Sequence, residues 1–146
     1  MIWILLTGCA LTTRQAGLLE VDNQRLLLHQ PSGATLSLLP GADDPELFHL
    51  GGCTVEIEGT RMMRRLTVRQ WRVTDAGDGS QPFIGQLTRP GAQYFLQDWN
   101  TGTTLILNPE SLGELAGHVG DTVLIVGFVS GAQEVSVVSW RSLSGQ

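Results

Sequence analysis

Five of the nine arginines in this chain fall within twelve residues: Arg61, Arg64, Arg65, Arg69 and Arg72, clustered in and just after the run Arg61-Met-Met-Arg-Arg65. Guanidinium groups at this density suit anionic partners such as phosphates, lipid headgroups or the carboxylates of a facing surface. No other stretch concentrates chemistry to that degree. His29, His49 and His118 are scattered, and no His/Cys/Asp/Glu spacing offers the three or four converging ligands that a metal needs. They read as surface or turn histidines, with His49 and His118 at similar places in two repeated units. Cys53 follows the C-terminal end of a helix-like segment, the wrong end of the dipole to activate a thiol, and reads as a small buried residue. Asp43, Asp44 and Glu46, and likewise Asp75 and Asp78, stand where caps and turns favour acids, without the spacing of a calcium loop. Trp99, in the turn Gln97-Asp-Trp-Asn-Thr-Gly102, is expected to be exposed, where it could stack on a sugar or pack within its own turn. The serines include no G-x-S-x-G nucleophile elbow. The expectation is therefore a non-catalytic protein without a cofactor or metal. Its candidate ligand-binding residues are Arg61, Arg64, Arg65, Arg69 and Trp99.

Composition narrows the partners. Among 146 residues, 42% are apolar and only 16% charged, with 18 glycines. That is a folded, turn-rich chain of β type. The net charge is −5, the pI is about 5.0 and there is no lysine. Non-specific nucleic-acid binding relies on many cationic contacts to phosphates, so such a partner is disfavoured. Two cysteines are too few for a disulfide framework. No apolar run approaches the ~20 residues of a membrane-spanning helix.

The elements that must position these residues are set by a repeat. The box Gly52-Cys-Thr-Val-Glu-Ile-Glu-Gly59 returns as Gly120-Asp-Thr-Val-Leu-Ile-Val-Gly127, preserving G-x-T-V-x-I-x-G. Alternating apolar residues between glycines predict a half-buried strand with a turn at each end. Gly17 and Gly85 open the two units, and Trp71-Arg72 and Trp140-Arg141 recur in their last strands. Asp44-Pro45 should cap one short helix, and Ser111, with Glu114 three residues on, the other. Each unit reads as strand, strand, strand, short helix, strand, strand. That order resembles the OB fold. The predicted class is all-β with short helices: two tandem five-stranded OB-like barrels packed together. The units span residues 16–74 and 84–146, joined by a linker over residues 75–83. The resemblance implies that an arginine hairpin over residues 61–72 could bind an oligosaccharide or single-stranded nucleic acid. The matching tip, Val129-Ser-Gly-Ala-Gln133, is neutral.

The opening Met1-Ile-Trp-Ile-Leu-Leu-Thr-Gly-Cys9 contains Leu6-Thr7-Gly8-Cys9, which resembles the lipobox of bacterial lipoproteins. Small residues before the cysteine admit the signal peptidase, and the thiol accepts a diacylglyceryl group before becoming the new N-terminus. Residues 1–8 would then be a signal peptide, residues 9–15 a tether and Cys9 the lipidation site. The segment departs from the pattern in having no basic n-region and only residues 2–6 as an apolar run. The other reading makes residues 2–6 a first strand and Cys9 a small buried residue. The repeat begins at Gly17 and has no counterpart for residues 1–15, which favours the leader. The expectation is a lipid-anchored structural or interaction module of the bacterial cell envelope. It would hold to a membrane through its anchor and meet envelope protein partners. An OB-type ligand binder is the alternative.

Overall fold

A computed structural model describes residues 11–41 and 45–144 of the chain. The lipobox with Cys9, and Asp43 and Asp44, lie outside the described residues. Ten strands run in order: β1 (Leu11–Asp22), β2 (Arg25–His29), β3 (Thr35–Leu39), β4 (Thr54–Met62), β5 (Arg65–Asp75), β6 (Phe83–Thr88), β7 (Tyr94–Gln97), β8 (Thr104–Leu107), β9 (Thr122–Gly131) and β10 (Glu134–Ser142). They form two closed five-stranded barrels, β1-β2-β3-β5-β4 and β10-β8-β7-β6-β9. In each barrel the first strand pairs with both the second and the fourth, and the third runs parallel to the fifth. Short 3-10 helices stand between the third and fourth strands: Pro45–His49 in the first barrel, Pro109–Ser111 and Gly113–His118 in the second. The all-β class and the OB strand order are those the repeat predicts. Contacts divide the chain into two compact units at Gly79 and Ser80.

The repeated box explains how a chain this short closes twice. Its alternating residues Val55 and Ile57, and in the second copy Val123 and Ile125, are completely buried. Its first glycine, Gly52 or Gly120, holds φ at +89° or +97°, a left-handed turn that a side chain would strain. Its last glycine lies inside the strand. A Cβ at Gly59 would stand 1.9 Å from the Thr67 carbonyl oxygen, and one at Gly127 would stand 2.2 Å from that of Ser136. At both positions the register with the fifth strand slips. Such a bulge coils the long strand sharply, so one strand can serve two sides of a narrow barrel. A Cβ at Gly17 or Gly85 in the first strand would likewise stand 2.4 or 1.9 Å from the carbonyl oxygen of His29 or Gln97.

Packing completes each barrel. In the second, Leu87, Leu96, Leu105, Leu107, Val123, Ile125 and Val135 point inward, and the 3-10 helices add Leu112 and Leu115. In the first, Leu47 stands where Leu115 does, five residues before the opening glycine of its box, and is also fully buried.

Four expectations are corrected. Residues 11–15 are not a tether. They are the first half of β1, paired with β4 from Leu11↔Arg61 to Gln15↔Ile57. Polar Thr12, Thr13 and Gln15 hide this strand from an apolar-run search, because pairing here satisfies the backbone and covers an edge rather than filling a core. The linker narrows to residues 76–82, since Asp75 ends β5 and Phe83 begins β6. Ser111 is not a helix cap: Asn108 caps by accepting from the Glu110 amide at 3.1 Å, while Ser111 donates to the Asn108 carbonyl and accepts from the Val137 amide. His49 is not the counterpart of His118. The equivalent hydrogen bonds, Cys53 N–H to the Leu50 carbonyl and Asp121 N–H to the His118 carbonyl, match His118 with Leu50.

Gly127→Ala should lower the stability of the second barrel by about 2–3 kcal/mol, because the close carbonyl is backbone and cannot step aside. Gly91→Ala, with nothing within 4 Å of the added carbon, should change stability by no more than about 0.5 kcal/mol. Urea midpoints of the two variants check this; equal midpoints would rule out the close approach as a constraint.

Candidate functional site

The arginine run folds as the β4–β5 hairpin. Met62 pairs with Arg65, leaving Met63 and Arg64 as the turn. Met63 has φ +60°, a left-handed conformation that glycine or asparagine adopts more cheaply, and it is 87% exposed. Two bonds hold it there. The Arg61 Nε donates to the Met63 carbonyl at 2.9 Å, and the Ser37 amide of β3 donates to the Arg64 carbonyl at 2.8 Å. Met62 is 52% exposed, and Arg64, Arg65 and Arg69 are exposed beside it. Among the described residues no carboxylate pairs with Arg61, Arg64, Arg65 or Arg69. Arg72, further along β5, is different: it pairs with Glu56 at 3.1 Å across the sheet. Ser37, Met62, Met63, Arg64 and Arg65 line a groove of about 440 Å³.

The second barrel provides an internal control. Its Ile106 amide donates to the Gln133 carbonyl at 2.7 Å, the same bond that Ser37 makes with Arg64, and Glu134 pairs with Ile106 as Arg65 pairs with Ser37. Where one barrel has Arg64-Arg65, the other has Gln133-Glu134. The same closing bond is thus made beside opposite charge, although the left-handed residue is Met63 in one turn and Gln133 in the other, so that bond does not require the arginines.

Trp99 belongs to the second barrel, in the β7–β8 turn, and is 49% exposed. It does not share a barrel with the arginine hairpin. Its neighbour Asp98 is not available to a sugar, being only 3% exposed. One oxygen of Asp98 accepts from the amides of Ile84 and Asn100 at 3.2 and 3.4 Å, and the other accepts the Thr101 hydroxyl at 3.0 Å. Asp98 thereby ties the turn to β6, whose Ile84 carbonyl also accepts the Trp99 amide. In the first barrel the same task falls to a side-chain contact, Gln30 to Gln15. Sequence reasoning missed this buried aspartate because Asp-Trp-Asn-Thr-Gly reads as any exposed turn.

Other polar groups pair within their own barrel or linker. His118 Nδ1 lies 2.9 Å from Asp121 Oδ2, and its ring meets Trp140 at 4.7 Å between centroids. In the first barrel Leu50 and Cys53 replace both members of that pair, and both are fully buried. Exchanging both partners for apolar groups leaves no orphan, which explains how one fold carries either version. The Cys53 Sγ lies 3.8 Å from the Ala76 carbonyl, and Asp75 Oδ1 accepts from the Gly77 and Gly79 amides at 2.7 and 3.0 Å, turning the linker. Among the described residues, no group of His, Cys, Asp and Glu is arranged to hold a metal, and no helix is long and apolar enough to cross a membrane.

Asp98→Ala should cost about 1–3 kcal/mol by orphaning the Ile84 amide, whereas Asp75→Ala, removing an acceptor from exposed amides, should cost less than about 1 kcal/mol. Denaturation midpoints read the difference, and equal losses would contradict the role assigned to Asp98. No family model, curated protein or solved structure matches this chain, so the reading of its function rests on its own residues.

Proposed function

We propose that this chain is a lipid-anchored, non-catalytic interaction module of the bacterial cell envelope, acylated at Cys9 after removal of residues 1–8. The observation that carries the reading is the lipobox Leu6-Thr7-Gly8-Cys9. Two or more acyl chains on that cysteine give stable attachment where one is marginal. Among the described residues β1 begins at Leu11, two residues after Cys9 in sequence. The module would be held close to the membrane rather than on a long leash.

The groove beside the arginine hairpin favours a second reading, an OB-type binder of an oligosaccharide or a single nucleic-acid strand. Binders of that kind rely on aromatic side chains on which bases or sugars stack. Among the described residues this groove has none: its apolar walls are methionines. The overall charge of −5 also opposes a nucleic acid.

Expressed from its own locus, the chain should incorporate a clickable palmitate analogue and sediment with membranes. Cys9→Ser should abolish both. An unlabelled native chain, or labelling that survives Cys9→Ser, would reject the anchor.

A further inference from the structure

The described start of β1 and the arginine hairpin lie at one place. Register puts Leu11, the first residue of β1, directly across from Arg61 of β4. Neighbouring strands are ~5 Å apart. Cys9 is two residues before Leu11, within about 8 Å along the chain. Arg61 is followed at once by Met62, Met63, Arg64 and Arg65. Residues 11–15 and 59–66 together contain Arg14, Arg61, Arg64 and Arg65 and no acid, although Arg14 faces Glu58 at 4.0 Å across the strands.

We propose that the β4–β5 hairpin is a second membrane contact, docking on anionic phospholipid with Met62 and Met63 in the headgroup–acyl boundary and Arg64 and Arg65 on the phosphates. The geometric part of this inference rests on the lipid-anchor reading at Cys9. The surface itself has independent marks of a docking tip. An apolar side chain 87% exposed is held out at a left-handed φ by the Arg61 bond to its own carbonyl. The arginines beside it lack carboxylate partners among the described residues. The corresponding closing bond in the second barrel is made at Gln133 and Glu134, so that bond needs neither the positive charge nor the methionines. An apolar tip ringed by unpaired guanidinium groups complements a surface that is anionic outside and apolar just beneath. A basic patch beside an acyl group supplies the second signal that strengthens attachment.

The test uses the full chain carrying Cys9→Ser, so that acylation contributes nothing, and vesicles of phosphatidylglycerol with phosphatidylcholine. The chain should co-sediment with these vesicles, less so as salt is raised, and stay in the supernatant with phosphatidylcholine alone. Arg64→Gln with Arg65→Glu, the pair that the second barrel carries at this turn, should lower partitioning at least about tenfold. Met62→Ser with Met63→Ser should lower it by roughly tenfold. An unchanged circular dichroism spectrum and urea midpoint confirm that each variant is folded. No binding to anionic vesicles, or partitioning indifferent to the arginine exchange, would overturn the proposal. So would an arginine-dependent retention of oligothymidylate or an oligosaccharide in the absence of vesicle binding. Palmitate labelling of the native chain reads the anchor separately. Label without vesicle binding sinks the hairpin contact alone; vesicle binding without label upholds the contact and sinks the anchor.

Discussion

Both barrels depend on a strand crossing its neighbour more closely than any side chain permits. At Gly59 and Gly127 the fourth strand meets a carbonyl of the fifth where a Cβ would be 1.9 or 2.2 Å away. This contact lets five strands close without an open seam. Closure in turn allows Val55 and Ile57, or Val123 and Ile125, to be wholly buried in a unit of some sixty to eighty residues, a size at which burial is hard to achieve. The rest follows from it. The coiled fourth strand reaches β1 on one side and β5 on the other, and the hairpin beyond Gly59 stays paired with β1 at Arg61 and with β3 at Arg65.

Two copies of one design separate what the fold requires from what it tolerates. The glycines, the buried Val and Ile of the box and the leucine of the 3-10 helix occur in both. The polar details are exchanged in matched sets: His118 with Asp121 against Leu50 with Cys53, and buried Asp98 against the Gln30–Gln15 contact. Each set satisfies its own groups, because an unpaired buried polar atom costs more than the pair contributes. Against that background the charge at the β4–β5 turn stands out. Arg64 and Arg65 stand where the second barrel makes the same closing bond and pairing with Gln133 and Glu134.

Much of the fold was legible because its signals are local. Glycine spacing, alternation within the box and the recurring Trp-Arg pair identify strands whose neighbours in sequence are also their partners in space, as in the β4–β5 hairpin. The site was legible only in part. Arg61, Arg64, Arg65 and Arg69 could be read as a cluster, since proximity along a hairpin is written in the chain. Trp99 could not be joined to them, because its turn belongs to the other barrel. Asp98 went unnoticed, since burial of a turn residue depends on β6 passing behind it, more than ten residues away. The matching of His49 with His118 failed by one residue, because only the hydrogen bonds at the 3-10 helix termini decide which residue is equivalent.

By itself, then, the sequence determined the class of the fold, the strand order, the twofold repeat and the hairpin that concentrates positive charge, all properties of residue type and short-range spacing. Tertiary structure alone decided that polar residues 11–15 form a strand. It also decided that the strand lies against β4, bringing Leu11 opposite Arg61 at the foot of the arginine hairpin. That juxtaposition joins positions some fifty residues apart. It arises from pairing along an edge, where the backbone supplies the attraction and the side chains leave no pattern to read.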